Sequence, residues 1–217
     1  MPPQGDRRPI AARRLPLFVL LADRLVRAGA SPNGISLAGL VAALLAGLSF
    51  ALVGTLPEAA RPLWLLGAVL VSLRLLANML DGMVAIGRGI ASPIGELFNE
   101  VPDRLSDTAI LLGVGVGAGN GWVPGLAAAL AAIATAYVRA VGKAAGAPSD
   151  FSGPMAKQQR MAAVIALAVW CACVPSGWGT DSALPAVVLW GVTVLCLATA
   201  ARRLWHIASA LRRAAAP

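Results

Sequence analysis

The sequence predicts an all-α integral membrane protein, with six transmembrane helices and an N-terminal interfacial amphipathic helix. Three observations predict this class. Of the 217 residues, 58% are hydrophobic and only 13% charged, where a soluble domain carries about a quarter charged. Six apolar stretches approach the roughly 20 residues that a helix needs to cross a hydrocarbon core. Gly- and Pro-rich pieces at 54–57, 117–121 and 175–179 separate several of them.

Along the chain, Arg7, Arg8, Arg13 and Arg14 precede a short apolar run that Asp23 and Arg24 interrupt. No clean small-residue cleavage site follows, so the segment does not read as a signal peptide. It predicts an interfacial helix over 10–28, with arginines at the headgroups and Leu15, Phe18, Val19, Leu21 and Leu25 facing inward. Spans are predicted at 35–53, 62–80, 96–118, 122–144, 160–175 and 184–204, the fifth being the shortest. The chain thus divides into an N-terminal unit (1–34), a six-helix domain (35–204) and a basic tail (205–217).

The formal net charge is +8, but the arginines flank apolar segments and do not line one soluble stripe, which argues against nucleic acid as a partner. Arg88, Lys143, Lys157, Arg160, Arg202, Arg203, Arg212 and Arg213 fall on the same predicted side as the N-terminal arginines. The other side offers Arg61 with Glu58 and Asp181. Both termini are therefore expected in the cytoplasm, in a membrane of the bacterial inner type. Cys171, Cys173 and Cys196 lie in apolar stretches and read as small core side chains. His206 is the single histidine, which excludes a multi-histidine metal site. Trp64, Trp122, Trp178 and Trp205 near span ends read as interfacial anchors.

Within this apolar chain stands a polar string. Residues three or four apart share a helix face, so Asn78, Asp81 and Ala85 line one face at the end of the second span. Gly95, Asn99, Asp103 and Asp107 line one face of the third. A short connection brings the two faces together at the cytoplasmic mouth. Ionisable groups in a membrane are costly and mark functional sites. These oxygen donors suit Mg²⁺ or Mn²⁺, with Glu96, Glu100 and Asp107 as supplementary ligands. Arg74 and Arg104 are placed to pair with the acidic cluster. Arg139, Lys143, Lys157 and Arg160 converge on the same end, where a basic pocket suits a phosphorylated acceptor; topology and lipid headgroups alone also account for them. The plainer alternative for the whole string is a polar patch that holds helices together.

The spacing closely resembles the CDP-alcohol phosphatidyltransferase signature, D-x2-D-G-x2-A-R-x8-G-x3-D-x3-D. Asn78, Asp81, Gly82, Ala85, Ile86, Gly95, Asn99 and Asp103 stand at its positions with every interval kept, and Ser92 falls where a small hydroxyl residue is frequent. Pro32-Asn33-Gly34-Ile35-Ser36 is similar to the family's Pro-Asn-x-Ile/Leu-Thr/Ser start of the first span.

The resemblance implies a transferase of phospholipid biosynthesis. An acceptor hydroxyl attacks the lipid-bearing phosphorus of a CDP-lipid such as CDP-diacylglycerol, and CMP leaves. It implies Mg²⁺ or Mn²⁺ as cofactor and Asn78, Asp81, Asn99 and Asp103 at the metal. Asp103 would also be the general base, and Gly82, Ala85 and Gly95 would shape the nucleotide site. Its partners are then a CDP-lipid, a hydroxyl acceptor that is phosphorylated or not, and membrane lipids. Homodimers are common in the family, so a homodimer is open too.

Three departures stand out. Asn78 and Asn99 keep an oxygen donor but lose a charge, and Ile86 replaces the arginine, with Arg88 two residues on. One tightly bound metal, or two with help from neighbouring carboxylates, both remain open. A weak or inactive relative that binds nucleotide-lipid or metal, and a small transporter, are the competing functions.

Overall fold

The computed structural model describes residues 15–89, 95–119 and 121–214, apart from the side chains of residues 95, 96, 99 and 176. Among these residues seven α-helices carry the fold: α1 (Pro16–Arg27), α2 (Pro32–Leu52), α3 (Ala60–Gly87), α4 (Gly95–Gly117), α5 (Trp122–Ala144), α6 (Lys157–Cys173) and α7 (Leu184–Ala214). No strand occurs among the described residues. Short 3₁₀ turns, Pro57–Ala59 and Ser176–Trp178, sit between α2 and α3 and between α6 and α7.

Among the described residues, four stretches are long and apolar enough to cross a membrane: Pro32–Leu52, Pro57–Gly87, Trp122–Ala144 and Leu184–Ala214. The other two predicted spans correspond to α4 and α6. The first half of α4 carries Glu100, Asp103, Arg104 and Asp107, and α6 has only 17 residues, roughly 26 Å of helix. Leucines, valines and tryptophans such as Leu44, Leu48, Leu66, Val69, Leu130, Trp190 and Val194 are exposed around the bundle. In an integral membrane protein such a surface faces lipid.

Two helices run past their predicted ends. The second predicted span stops at 80, but α3 continues through Gly87 because no proline interrupts residues 81–87, so Asp81 lies well inside the helix. The last predicted span stops at 204, but α7 continues to Ala214 and takes in Trp205 and His206. In α1, Phe18, Leu21 and Leu25 are half-buried and Ala22 is buried, while Leu15 and Val19 are exposed. Residues 10–14 of that predicted helix lie outside the described residues.

α2 starts with Ser31, whose hydroxyl accepts the Gly34 N–H at 3.4 Å, and with Pro32 in the first turn, a strong N-terminal stop-and-start signal. α2 then meets α4 backbone to backbone. A Cβ at Gly47 would stand 2.4 Å from the Ala109 carbonyl oxygen, one at Gly113 2.2 Å from the Gly47 carbonyl oxygen, and one at Gly117 1.7 Å from the Phe50 carbonyl oxygen. Small residues four apart on both helices (Ala43 and Gly47; Ala109, Gly113 and Gly117) make that approach possible. Phe50 fills the space over Gly67 and packs on Trp64 at 5.2 Å between ring centroids. α3 also packs on α6, α4 on α5, and α5 on α7, around a core that includes Phe50, Trp64, Ile110, Leu111, Met161 and Leu189.

The connection 145–156 is tied down on α5 and α7. Arg203 donates from Nε to the Ser152 carbonyl and from Nη1 to the Thr135 carbonyl, both at 2.9 Å, and Thr199 Oγ1 accepts the Met155 N–H at 3.0 Å. Gly153 has φ of 123°, and a Cβ there would collide with Thr199 Cγ2 at 2.3 Å, so both the backbone and the space require glycine. This anchoring sets where α6 begins, with Lys157 and Arg160 in its first turn.

Candidate active site

The C-terminal end of α3, the N-terminal halves of α2 and α4, the start of α6 and the end of α5 meet at one end of the bundle. Asp81 is buried there. Its Oδ2 accepts the Ser36 hydroxyl of α2 at 2.6 Å, and its Oδ1 accepts the Gly82 N–H at 2.6 Å. Both bonds orient the carboxylate from behind. Ser36 stands in the Pro-Asn-Gly-Ile-Ser start of α2, but its pairing with a residue 45 positions away is not legible in that local motif.

Asp103, also buried, collects charge from three helices. Its Oδ1 accepts Arg74 of α3, Lys157 of α6 and, at 3.1 Å, the Asn78 side-chain amide of α3. Its Oδ2 stands 3.7 Å from Arg104 Nη2. The polar faces of α3 and α4 predicted from helical spacing thus do come together, through Asn78 and Asp103. Arg74 occupies a recess in α2: a Cβ at Gly39 would stand 2.7 Å from Arg74 Nη1. That recess admits a guanidinium that is only 1% exposed.

Beneath Asp103, Arg160 of α6 pairs with Asp107 Oδ2, and both side chains are 1% exposed. Ser106 Oγ and Asp107 Oδ1 are buried there without a hydrogen-bond partner among the described residues. Nearer the surface, Glu100 Oε1 accepts Arg139 of α5 at 2.6 Å, and Arg104 reaches Glu100 Oε2 at 3.4 Å. Arg139 also lies 5.1 Å from the centre of the Phe151 ring.

The predicted site residues are therefore distributed as follows. Asn78, Asp81, Asp103, Lys157, Glu100, Arg139, Asp107 and Arg160 are gathered at this end. Gly82 and Ala85 follow Asp81 on α3 and are half-buried, and Lys143 is exposed near the end of α5. Gly95 opens α4; the side chains of Glu96 and Asn99 lie outside the description, as does Ser92. Among the described residues no three acidic, histidine or cysteine side chains form a metal-holding group. The donors present are two carboxylates and an amide, all able to offer oxygen, which is the chemistry of a hard dication. They fit such an ion.

No protein-family model matches the chain. It is 27% identical over 190 residues to a phosphatidylinositol phosphate synthase of Mycobacteroides abscessus, covering 85% of this chain and 80% of that one. It is 36% identical over 94 residues to a phosphatidylinositol phosphate synthase of Mycolicibacterium smegmatis, covering 43% of this chain and 39% of that one. Among solved structures it shares the fold of Mycobacterium tuberculosis phosphatidylinositol phosphate synthase. The form in complex with manganese and citrate gives a TM-score of 0.72 at 22% identity over 88% of this chain and 89% of that one. The form with CDP-DAG bound gives 0.72 at 22% identity over 89% and 94%.

Proposed function

We propose that the chain is a membrane transferase of phospholipid biosynthesis. It moves a phosphatidyl or related substituted phosphate group from a CDP-alcohol such as CDP-diacylglycerol to an alcohol hydroxyl, with release of CMP. The observation that carries this is the junction of α3 and α4, where Asn78 and Asp81 face Asp103 at the spacing of the CDP-alcohol signature. A relative that spans most of the chain and is named for this class of reaction supports it. A polar patch that merely holds helices does not account for oxygen donors at every position of that signature.

Asp81, Asp103, Asn78 and Asn99 hold the Mg²⁺ or Mn²⁺. When bound, the ion neutralises the donor diphosphate and the charge growing on the leaving oxygen. Gly82, Ala85 and Gly95 leave room for the nucleotide to approach the backbone. Asp103 receives the acceptor's proton. Its three hydrogen-bond donors all bind Oδ1, so Oδ2, which has only Arg104 at 3.7 Å, is the oxygen presented to the hydroxyl. Arg139, Lys143, Lys157 and Arg160 form the acceptor side, with Lys157 at its base against Asp103. The relatives' name makes a polyol phosphate the first acceptor to try.

The six-span plan extends to α4 and α6, whose charged ends face the site and whose apolar ends lie in the bundle. α1 lies at the interface. The basic end carrying the site faces the cytoplasm, where CDP-activated substrates are made. The test is release of CMP from labelled CDP-diacylglycerol by the purified chain, with Mn²⁺ and a panel of polyols and polyol phosphates. Acceptor-dependent, metal-dependent CMP release is expected. Bound but unconsumed CDP-diacylglycerol across the panel would instead identify a binding protein.

A further inference from the structure

Resting on that reading, we propose that Lys157 and Arg74 are permanent counter-ions of Asp103, so that the site takes one divalent ion, held on the Asp81 side, and not a pair. Three observations lead there.

The first is where the cations come from. Arg74 and Lys157 arrive on different helices, α3 and α6, and both bind the same oxygen of Asp103. The second is that, among the described residues, Asp103 is the carboxylate within salt-bridge distance of each. Arg74 is 1% exposed, and its Nε and Nη1 have no partner among the described residues, so Asp103 is the carboxylate that satisfies its charge. The Lys157 side chain is 11% exposed and stands at the start of a helix whose position is fixed by the tied-down connection 145–156. The third is that the arrangement is built into neighbouring residues: Gly39 provides the recess for Arg74, and Asn78 adds a neutral amide to the same Asp103 oxygen where a carboxylate would repel it.

The charges then decide the ion count. Asp81 and Asp103 are offset by Arg74 and Lys157 before any ion enters. Asp107 and Arg160 cancel each other, and Glu100 faces both Arg139 and Arg104, which leaves one positive charge over. One dication balances a donor diphosphate carrying two negative charges. Among the described side chains, a second would add two more positive charges, where an uncompensated charge is costly. Asp81, oriented by Ser36 and the Gly82 N–H, faces no cation within salt-bridge distance among the described residues, so it is the main carboxylate for the ion, which Asp103 reaches through Oδ2 alone.

Mn²⁺ titration of the full chain in lipid nanodiscs tests this, with electron paramagnetic resonance counting free ion and detecting coupled pairs. Wild type is expected to bind one Mn²⁺ per chain with an uncoupled spectrum, and Asp81→Asn to weaken that binding by about 10-fold or more. Lys157→Arg, which keeps the charge, is expected to keep one ion. Asn78→Asp/Asn99→Asp/Lys157→Gln is expected to take two ions with a coupled spectrum, and Asn78→Asp/Asn99→Asp with Lys157 intact to take one. Two coupled ions in wild type overturn the inference, as do two equally tight ions in the double variant. If wild type binds no Mn²⁺, even with CDP-diacylglycerol added, the functional reading itself fails and the inference falls with it. Elution of each variant at the wild-type position on size exclusion establishes that it is folded.

Discussion

At Gly47 and Gly113, α2 and α4 meet carbonyl against Cα, with no charged side chain between them. Ten residues earlier along α4, about 15 Å away, α4 meets α3 and α6 through Asp103, Arg74 and Lys157. The same helix is thus held by close van der Waals contact in one half and by buried charges in the other. Close backbone contact adds stability and needs only small residues at the right interval. Buried ion pairs add little net stability, because desolvation offsets their attraction. A chain that carries several of them at one end has placed them there for chemistry.

The sharpest way to break this contrast is at Asp103. Asp103→Asn is expected to lower kcat for CMP release by about 10²–10⁴-fold, the usual contribution of a positioned general base. The amide also leaves Arg74 and Lys157 without a countercharge, so stability should be measured beside rate. If the variant unfolds at a lower temperature but still turns over at the wild-type rate, Asp103 is only a structural partner and the contrast disappears.

A second effect separates charge from packing. Arg160→Ala strands the Asp107 carboxylate, and breaking a fully buried pair costs about 3–5 kcal/mol, read as loss of unfolding free energy in detergent. Replacing both partners, as Arg160→Met with Asp107→Leu, is expected to recover most of it. Failure of the double variant to recover would mean that the Ser106 hydroxyl, buried without a partner among the described residues, depends on the polar pair beside it.

In the apolar half the expected effect is smaller and of another kind. Gly113→Ala puts a methyl 2.2 Å from the Gly47 carbonyl oxygen, so the helices must part, at about 1–3 kcal/mol for overpacking. Mn²⁺ affinity is expected to stay within about twofold, since sites well separated in space act nearly independently. A larger loss of metal binding would show that the two halves are coupled through α4.

The sequence made one half of this legible and hid most of the other. The small residues of α2 and α4, and the intervals from Asn78 to Asp103, are local patterns that helical periodicity converts directly into faces. Arg74 is seven residues before Asp81 on one helix, so its approach to the acidic cluster was readable too. The pairs Lys157–Asp103 and Arg160–Asp107 join α6 to α4 across more than 50 positions, and only the placement of α6 in the bundle selects which basic residue meets which carboxylate. The ends of α3 and α7 were misplaced because hydropathy falls at Asp81 and at Trp205-His206 while the helix hydrogen bonding continues. A polar residue ends an apolar stretch without ending a helix.

The smallest effect concerns the connection that sets the start of α6. Asp150 takes the Ser152 N–H at 2.7 Å and meets His206 Nδ1 at 2.9 Å. Burial pushes the Asp150 carboxyl up, but its bonds to Ser152 and the neighbouring His206 outweigh burial and hold it below the usual carboxylate range. An acid whose folded value is depressed contributes stability that is present above its unfolded value, about pH 4, and that is lost as pH falls through the folded one. Asp150→Asn is therefore expected to be slightly less stable than wild type at neutral pH, with the difference unchanged down to about pH 4 and closing below it. Thermal unfolding of both forms across that range checks the sign. The connection also carries the Ser152 carbonyl that holds Arg203, so the same variant should lower the transfer rate modestly while leaving Mn²⁺ binding alone. An equal loss of Mn²⁺ binding would mean that the loop shapes the metal side of the site as well as the acceptor side.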